Sequence, residues 1–317
     1  MSYPEKYQTL IDEETWAFIR DSETWFPADS TTRTVDEQRK IYNAMCRAFF
    51  AGYPDGVSAK DSKIQTKEYA VPVRTYQLNE RAGDAEVVYF HGGGFVVGGL
   101  DSHDDVCAEI CEKTGFRVTS VDYRLAPENT FPDDFHDALN CFEHIAKGSD
   151  LPVVVVGDSA GANLAAAISH VTKHSKNKPV GQVLIYPGLD SKLDHGTFLE
   201  HAEAPMLTRA DTTFYKTVRT GGDAERLNEA TCCPLNANEF QNLPPTIVVS
   251  AECDPLSGDG KNYCDKITAA GGQATWHNED GLVHGYLRAR HTVKRAKVSF
   301  EKIVTSIKAL GLGQWPS

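Results

Sequence analysis

A serine stands between two glycines directly after the apolar run Val153–Val156, in the sequence Gly157-Asp158-Ser159-Ala160-Gly161. A serine on a sharp strand-to-helix turn has strained backbone angles, and only small residues two positions before and after it let the strand and helix pass. The Ala160 N–H then lies at a helix N-terminus, where it can stabilise an oxyanion. The same pattern also arises by chance, but the strand before it and the helix after it are the context that a nucleophile requires. The spacing therefore predicts Ser159 as a nucleophile for acyl transfer.

A second cluster, His91-Gly92-Gly93-Gly94, follows the apolar run Val87–Phe90. Successive glycines leave backbone N–H groups unobstructed and permit angles closed to other residues, so such a loop can aim amides at a developing negative charge. A flexible turn is the alternative reading. His91 precedes the serine, whereas the strand–turn–helix serine site carries its partners in the order serine, acid, histidine. We therefore expect His91 and Gly92 to shape an oxyanion loop rather than to act on a proton.

The acid is expected after the buried strand Thr246–Ser250, where Pro255 fixes a turn. Asp254 is the preferred candidate, and Glu252 stays a rival because it is only two residues away. The base is expected after the last strand, where His284 lies in a loop beside Gly285. Its competitor, His277, falls within the predicted strand, where a histidine is more often structural.

The elements that must position these residues alternate along the chain. Apolar and β-branched runs predict strands at 69–78, 85–90, 116–123, 153–156, 182–186, 246–250 and 274–277. Helical patterns are expected at 9–20, 34–51, 104–113, 135–146, 159–174, 259–270 and 285–310, and residues 34–37 resemble a capping box. Strands that alternate with helices imply crossover connections and a mostly parallel sheet covered on both faces. The predicted fold class is α/β.

Residues 187–243 break this alternation with polar and helical segments such as 208–219 and 224–229. More than fifty residues are too long for an ordinary loop, so we expect an inserted cap. The predicted division is a first cap segment at 1–55, core at 56–188, a second cap segment at 189–243 and core at 244–317.

At these motifs the chain resembles the hormone-sensitive-lipase-like branch of the α/β-hydrolase superfamily, particularly its bacterial acetyl-esterase-type members. The resemblance spans the core from about residue 65 onward and is carried by residues 91–94, 100–104, 122–128, 157–161, 254–256 and 284–285. Ala162 stands where a third glycine is common, and Ser257-Gly258-Asp259 replaces a more charged segment. The second departure leaves only details around Asp254 open.

The resemblance implies an α/β-hydrolase fold and an oxyanion hole formed by the N–H groups of Gly93, Gly94 and Ala160. It implies a helical cap over the acyl and alcohol pockets, built from the N-terminal helices and the 187–243 insertion. The expected activity is hydrolysis of short-chain carboxylic esters through an acyl-enzyme, with Ser159, His284 and Asp254 as the triad. Amidase, carbamate hydrolase and lactone hydrolase activities on the same scaffold remain alternatives, as does a ligand-binding member without catalysis.

The composition of the chain limits the classes of binding partner that we expect. The formal net charge of −12 repels phosphate backbones and anionic lipids, so neither nucleic acid nor membrane is an expected partner. The N-terminus lacks the pattern of a secretory signal, which predicts a cytoplasmic location. The eight cysteines and eleven histidines form no disulfide or zinc pattern, so reduced thiols and no metal or organic cofactor are expected. A small-molecule ester is the expected substrate, and a homo-oligomer is possible.

Bulky residues in the predicted cap suggest a small pocket rather than a long acyl channel, although packing of the cap onto the core would need the same residues. They are Trp16, Phe18, Trp25, Phe26, Phe49, Phe50, Met206, Leu207, Phe214 and Tyr215. We therefore expect a preference for acyl groups of about two to six carbons, because further methylenes add little burial and clash once the pocket is full.

Overall fold

The structure is a computed structural model that describes residues 3–27, 29–67, 69–79 and 83–316. Within these residues eight strands form one sheet. In chain order the strands are β1 (Val57–Gln65), β2 (Ala70–Leu78), β3 (Glu86–Phe90), β4 (Arg117–Val121), β5 (Val153–Asp158), β6 (Gly181–Ile185), β7 (Thr246–Cys253) and β8 (Ala274–Val283). The spatial order is β1-β2-β4-β3-β5-β6-β7-β8. The pairs β1–β2 and β2–β4 are antiparallel and all the others are parallel. The predicted mostly parallel sheet is confirmed.

The helices that connect the strands cover both faces of this sheet. In chain order they are α1 (Lys6–Leu10), α2 (Glu13–Trp25), α3 (Val35–Ala48), α4 (Asp104–Thr114), α5 (Asp133–Gly148), α6 (Ala160–Thr172), α7 (Thr197–Glu200), α8 (Arg209–Thr220), α9 (Ser257–Ala269) and α10 (Lys294–Gly311). Side chains of β5 alternate between the faces: Val154 and Val156 pack with α4 and α10, while Val153 and Val155 pack with α5, α6 and α9. Burial on both faces explains why this strand is continuously apolar.

Most predicted elements are confirmed to within a few residues, but several details were wrong. Strand β1 was missed because its side chains, rich in Lys, Asp and Ser, are mostly exposed at the edge of the sheet and show no apolar alternation. The helix predicted at 9–20 is two helices, since Ile11 at the end of α1 is extended and Asp12 caps α2. The helix predicted at 285–310 is a 3₁₀ turn, Tyr286–Ala289, followed by α10.

Strand β8 is longer than predicted and ends at Val283, immediately before His284. Residues 278–283, which follow the predicted strand, are therefore part of β8, with a register irregularity between Ala251 and Cys253 of β7. Parallel pairing with β7 organises this polar sequence, which has no strand pattern of its own. The predicted capping box at the start of α3 is present, with Thr34 and Glu37 bonding reciprocally.

Described residues 187–243 contain no strand, as predicted, and two α-helices, α7 and α8. Helix α8 is anchored to the rest of the molecule by buried Arg219, whose Nε donates to Asp134 at 2.7 Å. The guanidinium also lies 3.6 Å from the ring centre of Phe95, in the loop after β3. Residues 187–243 are thus fastened to the sheet region through a buried ion pair and a cation–π contact.

All eight cysteines are buried and none forms a disulfide. Among the described residues no helix is both long and apolar enough to cross a bilayer. Residues 1, 2 and 28 of the predicted first cap segment, and Glu68 before β2, lie outside the described residues.

Candidate active site

Ser159 occupies a sharp turn between the end of β5 and the start of α6. Its φ of 53° and ψ of −115° place a non-glycine residue in a strained region of backbone space. A side chain on Gly157 would collide with the backbone of Gly161, and one on Gly161 would collide with the Phe90 carbonyl. The two glycines are therefore required by close backbone packing, as the spacing predicted. The turn is further held by the Ser159 N–H, which donates to the Ile185 carbonyl at 2.8 Å.

Three side chains that are far apart in sequence form one hydrogen-bonded chain at the ends of β5, β7 and β8. Ser159 Oγ lies 2.9 Å from His284 Nε2, and His284 Nδ1 lies 2.7 Å from Asp254 Oδ2. Asp254 is fully buried, and its other oxygen accepts the Leu256 N–H at 2.9 Å. Both carboxylate oxygens are therefore engaged, which fixes the plane of the carboxylate toward the imidazole.

Neither rival residue, Glu252 or His277, joins the hydrogen-bonded series of Ser159, His284 and Asp254. Glu252 Oε2 instead accepts the Gly281 N–H at 2.7 Å, which supports the turn within β8. His277 lies within β8 opposite Val249 of β7, six residues before β8 ends at Val283. The geometry brings Asp254 and His284, rather than these residues, to Ser159.

The glycine loop after β3 reaches the same cavity as Ser159. Gly93 and Gly94 have φ values of 132° and 61°, which L side chains rarely adopt. The Gly93 carbonyl accepts the N–H groups of Val96 and Val97 at 3.1 and 3.0 Å, closing a tight turn. Gly93, Gly94 and Ala160 all line the cavity beside Ser159. This arrangement brings the backbone of three residues to the place where an oxyanion would form.

His91 lies beneath this loop and is completely buried. Its Nδ1 lies 2.8 Å from the Gly92 carbonyl, and its ring stacks on Tyr123 with centroids 4.4 Å apart. Burial lowers the pKa of His91 to about 4, so the ring is neutral near pH 7. These contacts are structural, and the role of His91 in shaping the loop stays a prediction.

Asp158 was not singled out from the sequence, although it lies inside the serine motif. Its Oδ1 accepts the Gly92 N–H at 2.8 Å and the Tyr89 hydroxyl at 2.9 Å. Its Oδ2 lies 3.2 Å from His103 Nε2. Burial alone would raise the pKa of Asp158, but the interactions with His103 and Tyr89 lower it below the usual range. One buried carboxylate thus ties the glycine loop to the serine turn, a connection that no local sequence pattern announces.

The site opens into a cavity of about 420 Å³. This lies toward the small end of the range of roughly 300–1,000 Å³ that is typical of ligand pockets. Of the ten bulky residues expected in the cap, four line it: Phe26, Met206, Leu207 and Tyr215. The other six lie elsewhere; Phe18 is buried in the core, for example, and Trp25 is exposed. Tyr42 and Met45 of α3 and Arg288 also line the cavity, and the sequence analysis had not named them.

The described residues contain no group of three or more His, Cys, Asp or Glu side chains arranged to hold a metal ion. The arrangement that is present can transfer a proton from a serine hydroxyl to an imidazole held by a buried carboxylate. It can do so beside backbone N–H groups at the wall of the cavity. That chemistry suits nucleophilic attack on an activated carbonyl.

Comparison with known proteins agrees with this geometry. A family model described as alpha/beta hydrolase fold matches residues 87–288. Carboxylesterase NlhH of Mycobacterium tuberculosis is 34% identical over 75% of this chain and 78% of its own. Ethyl acetate hydrolase of Pseudomonas putida is 30% identical over 89% of this chain and 90% of its own.

Solved structures show the same fold. An ester hydrolase from the metagenome of Lake Arreo, in complex with a bipyridine phosphonate derivative, superposes with a TM-score of 0.87 at 27% identity. That match covers 94% of this chain and 98% of the other. The Pyrobaculum calidifontis esterase superposes with a TM-score of 0.83 at 27% identity, covering 88% of this chain and 94% of the other.

Proposed function

We propose a two-step mechanism for this chain, which belongs to the alpha/beta hydrolase fold family and is a carboxylic ester hydrolase. In the first step His284 takes the proton of Ser159 as its oxygen attacks the ester carbonyl carbon. The carbonyl oxygen becomes an oxyanion held by the N–H groups of Gly93, Gly94 and Ala160, a contribution of about 3 to 4 kcal/mol per well-placed donor. Collapse breaks the ester C–O bond, and the alcohol leaves with the proton from His284.

In the second step water adds to the acyl-Ser159 ester while His284 accepts its proton. The second tetrahedral intermediate releases the carboxylic acid and returns the proton to Ser159. Asp254 holds the imidazole in the tautomer that keeps Nε2 facing Ser159 and stabilises its charged form. The observation that carries the proposal is the hydrogen-bonded chain from Ser159 through His284 to Asp254, open to a cavity.

Labelling with a fluorophosphonate tests the nucleophile directly. Mass spectrometry of the labelled wild type is expected to place a single phosphonyl group on the peptide that contains Ser159. The Ser159→Ala variant is expected to stay unlabelled. Wild-type protein that hydrolyses no ester and takes up no label would instead be a ligand-binding member of the family.

We further propose that segments 1–55 and 189–243 act as a cap that shapes the substrate pocket. Cavity-lining residues on both segments support this division: Phe26, Tyr42 and Met45 on the first, and Leu207 and Tyr215 on the second. Cleavage of substrate would then depend on the sheet, and the choice of substrate on the cap.

A preference for short acyl chains belongs to the same proposal. The cavity of about 420 Å³ and the relative known as an ethyl acetate hydrolase both support it. Rates on p-nitrophenyl esters from acetate to palmitate are expected to give the highest kcat/KM between two and six acyl carbons. A maximum at ten carbons or more, or activation by an oil–water interface, would show that the pocket holds a long acyl chain.

A further inference from the structure

Arg288 lies in the substrate cavity on the 3₁₀ turn that follows His284. A side-chain carbon on Gly285 would lie 3.7 Å from Arg288 Nη1, so the guanidinium stands beside the residue next to the proposed base. The side chain is only partly exposed. A permanent cation is therefore held within the cavity, close to the reacting groups.

The described residues do not supply hydrogen-bond acceptors for all the donors of the Arg288 guanidinium. Nη2 donates to the Tyr42 hydroxyl at 2.7 Å and contacts Cys46 Sγ at 3.4 Å. Nε is buried without an acceptor, and among the described residues neither Nε nor Nη1 has a hydrogen-bond partner. None of the carboxylates described lies within ion-pair distance of Arg288, whereas buried Arg219 and Arg290 are both paired with acids. A buried guanidinium with vacant donors is costly unless an anion completes it.

Tyr42 supplies a second donor at the same place. Its oxygen accepts from Arg288, so its own hydrogen is available, and burial raises the pKa of Tyr42 and keeps the phenol protonated. Apolar residues surround the pair: Phe26 packs edge-on against the Tyr42 ring with centroids 5.8 Å apart, and Met45 and Val97 line the cavity nearby. The charged donor Arg288 and the neutral donor Tyr42 thus lie at the end of a cavity wall that is otherwise apolar.

Acidic residues also line the cavity, but each lies apart from this pair or is already engaged. Asp158 is the carboxylate bonded to Gly92, Tyr89 and His103, and it acts on Arg288 only through its longer-range charge. Glu23 accepts the Tyr3 hydroxyl, and Asp211 caps α8. Glu203 is exposed. None of these acids therefore occupies the vacant donors of Arg288.

We propose that Arg288 and Tyr42 bind a free carboxylate on the substrate, so that this esterase prefers esters that carry a second, ionised acid group. The inference rests on the proposed function and names its substrate class. Charge-assisted hydrogen bonds to a carboxylate are among the stronger polar contacts, and they gain further strength away from bulk water. The carboxylate can belong to the acyl part, as in a monoester of a dicarboxylic acid, or to the alcohol part, as in an ester of a hydroxy acid.

Two matched substrate pairs separate these sources. Monoethyl glutarate is compared with ethyl pentanoate for the acyl part, and 4-acetoxybutanoate with pentyl acetate for the alcohol part, with kcat/KM measured by pH-stat. In the wild type the charged ester of one pair is expected to exceed its neutral match at least tenfold in kcat/KM. A ratio within twofold of one in both pairs, with the neutral esters hydrolysed, would overturn this inference and leave the esterase proposal intact.

Variants test which residues produce the charged-to-neutral ratio of kcat/KM. Arg288→Gln is expected to lower the charged-to-neutral ratio at least tenfold, Tyr42→Phe about threefold, and Arg288→Lys less than Arg288→Gln because it keeps the charge. Lys216→Gln is the matched control, since Lys216 also lines the cavity but is bonded to the Asp190 carbonyl, and its ratio should stay at the wild-type value. A charged-to-neutral ratio that falls in Lys216→Gln, or that stays at the wild-type value in Arg288→Gln, would contradict the assignment.

A binding measurement keeps the inference testable without turnover. In the Ser159→Ala variant, monoethyl glutarate or 4-acetoxybutanoate is expected to raise the Tm more than its neutral match, and this difference should vanish when Arg288→Gln is added. Equal Tm shifts from charged and neutral esters would overturn the carboxylate site. Failure of the esterase proposal would appear separately, as wild-type protein that hydrolyses neither neutral nor charged esters.

Discussion

Two linked sets of serine, histidine and aspartate side chains lie side by side in this molecule, and only one of them places its serine and histidine in the cavity. We call them the cavity chain, which is Ser159–His284–Asp254, and the buried chain, which is Ser102–His103–Asp158. The His–Asp distances are 2.7 Å in the cavity chain and 3.2 Å in the buried chain. The Ser–His distances are both 2.9 Å. Residue types and spacings alone therefore do not separate them.

The two chains differ in solvent exposure and in the hydrogen bonds that the serine hydroxyl makes. The His284 side chain is 13% exposed and that of His103 only 2%. In the buried chain the Ser102 hydroxyl donates to the Gly99 carbonyl at 2.7 Å and accepts the Gly99 N–H at 3.1 Å. The Ser102 oxygen is therefore engaged with the Gly99 backbone as both donor and acceptor. A nucleophile needs a free lone pair, a route for substrate and donors for the oxyanion. Of the two serines, only Ser159 lines the cavity, together with Gly93, Gly94 and Ala160.

The buried chain has a different consequence, because its carboxylate ends on the glycine loop. Asp158 Oδ1 accepts the Gly92 N–H, which immediately precedes the proposed oxyanion donors Gly93 and Gly94. The same three residue types thus reach the cavity in one chain and bond to the glycine loop in the other. The comparison predicts loss of chemistry from one chain and loss of positioning or stability from the other.

The largest expected difference is at the two serines. Ser159→Ala should lower kcat on an activated ester by several orders of magnitude and leave the fold intact. Ser102→Ala should keep fluorophosphonate labelling at Ser159 and lower the free energy of unfolding by about 1–3 kcal/mol, because buried hydrogen bonds are lost. Equal turnover by the Ser159→Ala variant and the wild type would refute the role assigned to the cavity chain.

The second-largest expected effect concerns which histidine acts as the base. His284→Ala should abolish turnover, whereas His277→Ala and His91→Ala should keep part of the chemical step, since neither ring joins the cavity chain. Steady-state rates on p-nitrophenyl acetate, with circular dichroism to check folding, measure this. A folded His277→Ala protein as inactive as the His284→Ala protein would show that the base was assigned wrongly.

A smaller effect is expected at the carboxylate of the buried chain. Asp158→Asn keeps the shape of the side chain but weakens the link to the glycine loop, so kcat should fall about 10- to 100-fold with little change in KM. Asp254→Asn should lower kcat further, to about 10⁴-fold below the wild type, because it favours the wrong tautomer of His284. Equal kcat for the Asp158→Asn variant and the wild type would mean that the loop holds its geometry without Asp158.

The smallest effect concerns a buried aspartate outside both chains. Asp259 accepts the N–H groups of Leu189 and Asp190 at 2.7 and 3.0 Å, and burial raises its pKa to about 7. A pKa raised on folding adds stability below the unfolded value of about 4, and this stability is lost as pH rises toward 7. Asp259→Asn should therefore flatten the fall in the free energy of unfolding between pH 5 and 8, as followed by urea denaturation.

For Asp158 the sign is opposite, because its interactions with His103 and Tyr89 lower its pKa on folding. Its contribution is present above about pH 4 and is lost as the pH falls below that value. The Asp158→Asn variant is the control for the Asp259→Asn experiment, since it should alter only the acid limb. A change on the same limb in both variants would show that the histidine partner does not set the sign.

The parts of the molecule that could be predicted from sequence are those in which neighbouring residues set the geometry. The serine turn requires glycines on both sides because the backbones of β5, α6 and the Phe90 carbonyl meet there. Strand β5 is uniformly apolar because both its faces are buried. Where an element depends on its neighbours, as in the exposed edge strand β1 and the polar strand β8, the sequence carried too weak a pattern.

The sequence by itself determined the α/β class, the serine turn, the glycine loop, and a short set of acids and histidines in a defined order. Only the tertiary structure decided that Asp254 rather than Glu252, and His284 rather than His277, reach Ser159. It also joined Asp158 to the glycine loop, and it brought Tyr42 and Arg288 together across 246 positions of the chain. The physical reason is that a turn or a strand is set by contacts between near neighbours. A hydrogen bond between distant residues depends on how the strand ends and the helices around them are placed, and no local pattern records that placement.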